Sequence, residues 1–294
     1  MSVRSRTDHQ LLDHVQRETL RYFWEFAHPV SGMAFDRSLP GAQGPEAVAV
    51  GGSGFGIMAL LVGIERGWLA RSDVLDRLET ILAFLEQADR FHGVFPHFLD
   101  GRTGRTIPMT SKDNGGDLVE TAFLMAGLLA ARQYFSARSM QETALRDRIS
   151  VLWLAVEWAW YTRESADTLY WHWSKDQDWI MNFPIIGWDE CLITYILAAG
   201  SPTFPIKRSV YDQCWVGSPT FRNGRSFYDI PLPLGPDYGG QMCFAHYSFL
   251  GIDPRGLTDS YADYFLQNKA HALIQQAHAR INPNGFKGYA ADCW

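Results

Sequence analysis

Three carboxylates stand close together in Ser111-Lys-Asp113-Asn-Gly-Gly-Asp117-Leu-Val-Glu120. Counted from Asp113 they fall at i, i+4 and i+7, a spacing that lines them along one side of a helix and its lead-in. Crowded acids repel one another's charge, so at least one holds its proton where an isolated carboxyl has lost it. A protonated acid beside an ionised base is what glycoside hydrolysis requires. A plainer reading is a helix start, because Asp117-x-x-Glu120 has the form of a capping box and acids favour the positive helix end. A fourth acid, Glu190, sits in Trp188-Asp189-Glu190 ahead of another apolar run.

Other residues could hold a polar substrate near these acids. Trp171 and Trp173 flank a histidine and offer flat faces for sugar rings, or they alternate as in a strand and only pack a loop. His97, His246, Gln241, Asp36 and Arg37 offer groups for sugar hydroxyls. Each has a structural alternative: the histidines as satisfied packing residues, Asp36-Arg37 as a local ion pair. Oxygen clusters also bind Ca²⁺, but the spacing is not that of an EF-hand loop, and no metal or other cofactor is expected. There is no P-loop, no GxGxxG after a strand, no HExxH and no GxSxG.

The elements that would carry these residues are helices. Periodicity predicts amphipathic helices over 10–27, 73–88 (capped by Ser72), 141–162, 205–215 and 260–281. Almost wholly apolar helices are predicted over 54–66, 117–135, 191–199 and 241–250, and helices apolar on every side are buried all round. Gly115-Gly116 reads as a flexible turn before the second of these, and Gly101–Thr106 as a hairpin or turn. The two kinds alternate. Links from apolar to amphipathic helices are short, whereas links in the other direction run to about 25 residues, a length usually kept for function. An outer ring of half-exposed helices around an inner buried ring gives this pattern, with the long loops gathered at one end. The expectation is an all-α chain: one α/α-toroid catalytic domain over residues 1–294, with Asp113, Asp117, Glu120 and Glu190 converging on its mouth. Five outer and four inner helices fall short of twelve, so the ring reads as C-terminally incomplete. Helices beyond Trp294, or a second chain or fragment, are expected to close it.

Composition narrows the field. With 47% hydrophobic and 20% charged residues in 294, the chain can bury a sizeable core. A net charge of −6 argues against nucleic acid and anionic membranes as partners. No apolar run reaches the length of a membrane span. The start, Met1 to Gln10, lacks an apolar signal region. The plain expectation is a cytoplasmic location, or a periplasmic one if a signal has been removed. Cys191, Cys214, Cys243 and Cys293 form no paired spacing and read as structural thiols. The 11 tryptophans either fill a core or form sugar platforms.

Taken together, Gly32-Met-Ala-Phe-Asp36-Arg37-Ser38, Phe95-Pro-His97-Phe98, Asp113-x3-Asp117-x2-Glu120, Trp171-x-Trp173, Gly187-Trp-Asp-Glu190, Tyr195-x4-Gly200-Ser-Pro-Thr and His246-Tyr-Ser-x3-Ile-Asp253 resemble the bacterial glycoamylase-like family. That family includes endo-β-1,2-glucanases and is similar to the transglycosylating domain of cyclic β-1,2-glucan synthases. The likeness runs from about residue 9 to residue 294. It implies an (α/α)6 toroid with a carbohydrate-active cleft, and it points to Asp113, Asp117, Glu120 and Glu190 as candidate catalytic acids. The activity so implied is hydrolysis of a β-glucan, β-1,2-linked in the first instance, with an oligo- or polysaccharide as the partner. A glucosidase or transglycosylase on another glucan is the alternative within enzymes, and a non-catalytic sugar-binding domain the alternative outside them.

Overall fold

Two apolar helices sit at the centre of the first part of the chain, and glycine decides how closely they pack. In the computed structural model, which describes residues 7–38, 43–163 and 167–290, α2 (Val50–Glu65) and α4 (Leu118–Tyr134) bury residues on nearly every side. A β-carbon added at Gly54 would stand 2.1 Å from the Phe123 carbonyl oxygen, and one at Gly127 would stand 2.3 Å from the Gly54 carbonyl oxygen. The two backbones therefore touch. A ladder of leucines would have held them farther apart.

Amphipathic helices accompany this pair. α1 (Asp8–Trp24) opens on a capping box in which Thr7 and Gln10 satisfy each other's amides. α3 (Arg71–Gln87) and α5 (Met140–Leu154) are tied by Arg71 to Glu142 and by Arg148 to Glu86. The Ser72 cap is corrected here: α3 begins at Arg71, two residues before the expected start, with Ala70 at the N-cap, and the Ser72 hydroxyl bonds the Asp73 carboxylate instead. The predicted 141–162 helix ends at Leu154 and resumes as a 3₁₀ turn over Trp158–Thr162.

Short strands place the ends of the apolar helices. β1 (Ala47–Ala49), β2 (Phe98–Asp100) and β3 (Thr106–Ile107) form an antiparallel sheet with Val48 opposite Leu99 and Leu99 opposite Thr106. The hairpin expected around Gly101–Thr106 is its second turn. β4 (Gly116–Asp117) pairs antiparallel with β5 (His172–Trp173), Gly116 opposite Trp173 and Asp117 opposite His172. The architecture is mainly helical with these small sheets added, so the expectation of an all-helical chain is right in its bulk and misses the sheets.

The chain divides into two compact units. The elements above belong to the first, which holds Met1–Tyr161, Trp171–Asn182 and Pro202–Phe204. The second holds Thr162–Tyr170, Phe183–Ser201 and Pro205–Trp294. In it lie α6 (Leu192–Gly200), the single turn α7 (Arg208–Val210) continued by a π-turn over Tyr211–Trp215, the hairpin β6 (Arg222–Phe227) and β7 (Ile230–Leu234), the short α8 (Cys243–His246) and α9 (Tyr264–Ile281). Its core is aromatic: Trp188, Tyr195, Trp215, Phe221 and Tyr264 are all buried. The expected apolar helix over 241–250 is reduced to α8 and a 3₁₀ turn at Tyr247–Phe249. Cys191 and Cys214 are buried thiols and Cys243 is half-buried, as read from spacing. Cys293 lies outside the described residues, as do Met1–Arg6 of the expected leaderless start.

Candidate active site

Asp117 is the hub of the first unit's acidic cluster. It is the N-cap of α4, where Oδ1 accepts the Val119 amide at 3.0 Å and the Glu120 amide at 2.9 Å. Oδ2 accepts the His97 Nδ1–H at 3.1 Å. With both oxygens engaged and 1% of the residue exposed, Asp117 holds other groups in place. Half of the expected capping box forms. Glu120 does not close it, because its Oε2 accepts the Gly51 amide at 2.8 Å, across the α2–α4 contact. Its Oε1 lies 3.9 Å from His97 Nε2. One imidazole thus faces two carboxylates.

Asp113 sits on the turn before β4. Its amide donates to the Thr110 hydroxyl at 3.1 Å, and its carbonyl accepts the Met109 amide at 2.9 Å. The Gly115-Gly116 pair is a matter of space, not of the flexibility expected for it. A β-carbon at Gly115 would meet the Trp173 carbonyl oxygen at 2.1 Å, and one at Gly116 the Tyr161 hydroxyl at 2.2 Å. Neither glycine has a positive φ. The acid-bearing turn is pressed against β5.

Charge follows from this packing. Burial, with the neighbouring charge of Asp117, pushes the Asp113 carboxyl up to about 6 against the pull of His97. Burial opposes a charge on His97, but the Asp117 hydrogen bond and the fields of Glu120, Asp117 and Asp113 outweigh it and lift the imidazole to about 9. Near neutrality the cluster therefore holds an imidazolium, and Asp113 exchanges its proton close to physiological pH. His97, Asp113 and Asp117 also offer ligand atoms within 4.8 Å of one another, a spacing a cation could accept.

The remaining predicted residues of this unit are placed less centrally. Asp36 and Arg37 form the local ion pair of the plainer reading. With Tyr22, Phe26, Phe35 and Ser38 they line a cavity of about 630 Å³. Trp173 is half-buried and packs edge-on against His92, ring centroids 4.9 Å apart, while His92 stacks on Trp160 at 3.8 Å. The Trp171 carbonyl accepts the Leu118 amide at 2.8 Å, so this residue also anchors the start of α4. The tryptophan excess is partly core, since Trp153, Trp158, Trp188 and Trp215 are buried.

Glu190, Gln241 and His246 belong to the second unit. Glu190 is half-buried just ahead of α6, and its carbonyl accepts the Ser248 hydroxyl at 2.6 Å while the Ile193 amide donates to that hydroxyl at 3.0 Å. Its neighbour Asp189 accepts the Cys191 amide at 2.8 Å. Burial pushes Asp189 up to about 7, against the Cys191 amide and with help from the charge of Glu190. Gln241 and His246 are exposed. Sequence reading missed Asp189, since nothing in Asp189-Glu190 says which of the two turns inward. It also passed over His172, although strand alternation at Trp171-His172-Trp173 turns the middle residue away from its neighbours.

Comparison with known proteins agrees with the resemblance seen in the motifs. The Glycoamylase family model, described as "Putative glucoamylase", matches residues 182–294. An exo β-1,2-glucooligosaccharide sophorohydrolase (non-reducing end) of Parabacteroides distasonis is 44% identical over 98% of this chain and 42% of its own length. The chain thus spans about two fifths of that curated relative. The "putative glucoamylase" of Bacteroides uniformis superposes with a TM-score of 0.95 at 49% identity, over 99% of this chain and 70% of that one. An endo-β-1,2-glucanase of Chitinophaga pinensis, solved with sophorotriose and glucose, superposes with a TM-score of 0.91 at 47% identity, again over 99% and 70%. Similarity at this level over nearly every residue places the chain in the bacterial glycoamylase-like family.

Proposed function

We propose that this chain is the catalytic part of a glycoside hydrolase that cleaves β-1,2-linked glucan by carboxylate acid–base chemistry. Support comes from one arrangement: Asp113, Asp117 and Glu120 gathered at the start of α4, with Asp113 lifted to about 6 and its neighbours ordered by His97. The names of the two β-1,2-active relatives direct the linkage. In this reading Asp113 gives its proton to the departing glycosidic oxygen. Asp117 stays structural, because both of its oxygens are engaged. Glu120 and Glu190 are the candidates for activating water or for attack on the anomeric carbon. Asp36, Arg37, His97, Trp171, Trp173, Gln241 and His246 are proposed to bind the sugar. An (α/α)6 toroid belongs to the same reading, supported by the alternation of apolar α2, α4 and α6 with amphipathic α1, α3, α5 and α9.

The test is incubation with linear β-1,2-, β-1,3- and β-1,4-glucans and starch, reading new reducing ends and product sizes. New ends on β-1,2-glucan alone are expected. Release of sophorose alone would make the action exo, and a ladder of lengths would make it endo. Cleavage of another glucan in preference, or of none, overturns the reading.

A further inference from the structure

His172 lies on β5 opposite Asp117 and is 2% exposed. Its Nε2 stands 2.9 Å from the Gly115 amide nitrogen. An amide N–H can only donate, so Nε2 must be the unprotonated ring nitrogen and Nδ1 must carry the hydrogen. That Nδ1–H is buried and meets no acceptor. A buried donor without a partner is destabilising. An imidazolium is excluded by the same geometry, since it would set N–H against N–H. Burial likewise holds this histidine below its ordinary range, against the fields of Asp117 and Asp176.

The same Nε2 lies 3.6 Å from Asp113 Oδ1. The turn carrying Asp113 is held on its other side by Thr110 and Met109 and by Asn114, whose side-chain amide donates to Asp176 at 3.0 Å. His172 supplies the side-chain hold at Gly115. The single lone pair of Nε2 is taken by the Gly115 amide, so at 3.6 Å His172 gives the Asp113 carboxyl a neutral neighbour and no hydrogen bond. The charged groups that face Asp113 are Asp117 and His97.

We infer that His172 is a positioning residue for Asp113: a permanently neutral imidazole that accepts the Gly115 amide, fixes the 113–116 turn, and keeps its unprotonated nitrogen toward the Asp113 carboxyl. This rests on the proposed role of Asp113 as the proton donor. A histidine serves where an apolar residue would not, because the buried amide needs an acceptor, and a neutral ring adds no second positive charge beside that of His97.

Variants at His172 and Asp113, together with NMR, test it. In the parent, long-range ¹H–¹⁵N spectra should show His172 as the Nδ1–H tautomer from about pH 5 to 8, the range in which an ordinary histidine titrates. His172→Ala should lower kcat on β-1,2-glucan by on the order of 10²-fold, the effect of a misplaced reacting group, with KM within about twofold. His172→Gln should recover most of that loss, because its Oε1 can accept the Gly115 amide. Adding His172→Ala to Asp113→Asn should cost nothing further, since the first acts through the second. An Nε2–H or protonated His172, an unchanged kcat in His172→Ala, or losses that multiply in the double variant would each overturn the inference. Should the parent cleave no β-1,2-glucan, it is the functional reading that fails. The tautomer, and the Asp113 titration followed by ¹³C NMR in the parent and His172→Gln, then still decide the role of His172: a midpoint kept in His172→Gln supports it, and a protonated imidazole overturns it. The same two readings serve if His172→Ala does not fold.

Discussion

Replacing Asp117 by asparagine isolates one charge at the centre of the cluster. Asparagine caps a helix about as well as aspartate, so the Val119 and Glu120 amides keep their acceptor and α4 keeps its start. What disappears is the anionic partner of His97. That imidazole is lifted from an ordinary 6.5 to about 9, and its side chain is 23% exposed, so solvent screens it only in part. The whole displacement corresponds to roughly 3 kcal/mol. Three carboxylates share in it, with the Asp117 hydrogen bond the strongest of the raising influences, so the substitution should remove about 1–2 kcal/mol. The sign is fixed by proton binding. A base with a raised folded value adds stability that is complete below about 6.5 and is lost as the pH rises through about 9. Asp117→Asn should therefore unfold at lower urea than the parent at pH 6, with a Tm some 2–8 °C lower, and the two should converge above about pH 9.5. Urea melts at those two pH values are the assay, with the His97 ring protons followed by NMR. A deficit of equal size at both pH values would place the loss in packing or capping and refute the charge argument. No deficit at pH 6 would refute it as well.

Three further outcomes follow from the geometry. Gly54→Ala places a β-carbon 2.1 Å from the Phe123 carbonyl oxygen and should destabilise by roughly 1–3 kcal/mol or more, as overpacked cores do; a variant with an unchanged denaturation midpoint would mean that α2 and α4 do not touch. With Asp113 as the proton donor, kcat/KM on β-1,2-glucan should fall as the pH rises through about 6, because the active form is the protonated one; a rate that is flat or climbing from pH 5 to 8 contradicts the assignment. Glu190→Gln should leave the melting curve near that of the parent and lower turnover by about 10²–10⁴-fold, the usual contribution of a general acid or base; near-normal turnover would remove Glu190 from the catalytic set.

Much of this was legible in the sequence wherever a long run carried one signal. α2, α4 and α9 announce themselves through periodicity, and the acids around Asp113 through spacing. The start of α3 was not, because the pull of Glu142 on Arg71 is a contact between residues 71 positions apart. The β6–β7 hairpin escaped notice for two local reasons. Its strand β7 carries Pro231 and Pro233, which depress strand character. Its turn is Tyr228-Asp229 with φ of 54° and 62°, the conformation of a type I′ turn without the Asn-Gly signature that normally reveals one. The Gly115-Gly116 pair reads in sequence as a flexible turn and is a packing device, a distinction visible only once β5 is in place. His172 stood between two tryptophans that drew the attention, and only the strand pairing shows that it faces the acid-bearing turn.

The central claim, that Asp113 donates the proton that breaks a β-1,2-glucosidic bond, is tested most directly by varying how much the leaving group needs that proton. Asp113→Asn and the parent should be compared on β-1,2-glucan and on a nitrophenyl β-sophoroside, whose phenolate departs without protonation. On the glucan the variant should lose about 10²–10⁴-fold, and on the nitrophenyl glycoside no more than about tenfold, because a good leaving group has little use for a general acid. Equal losses on the two substrates, or no loss on either, would contradict the account.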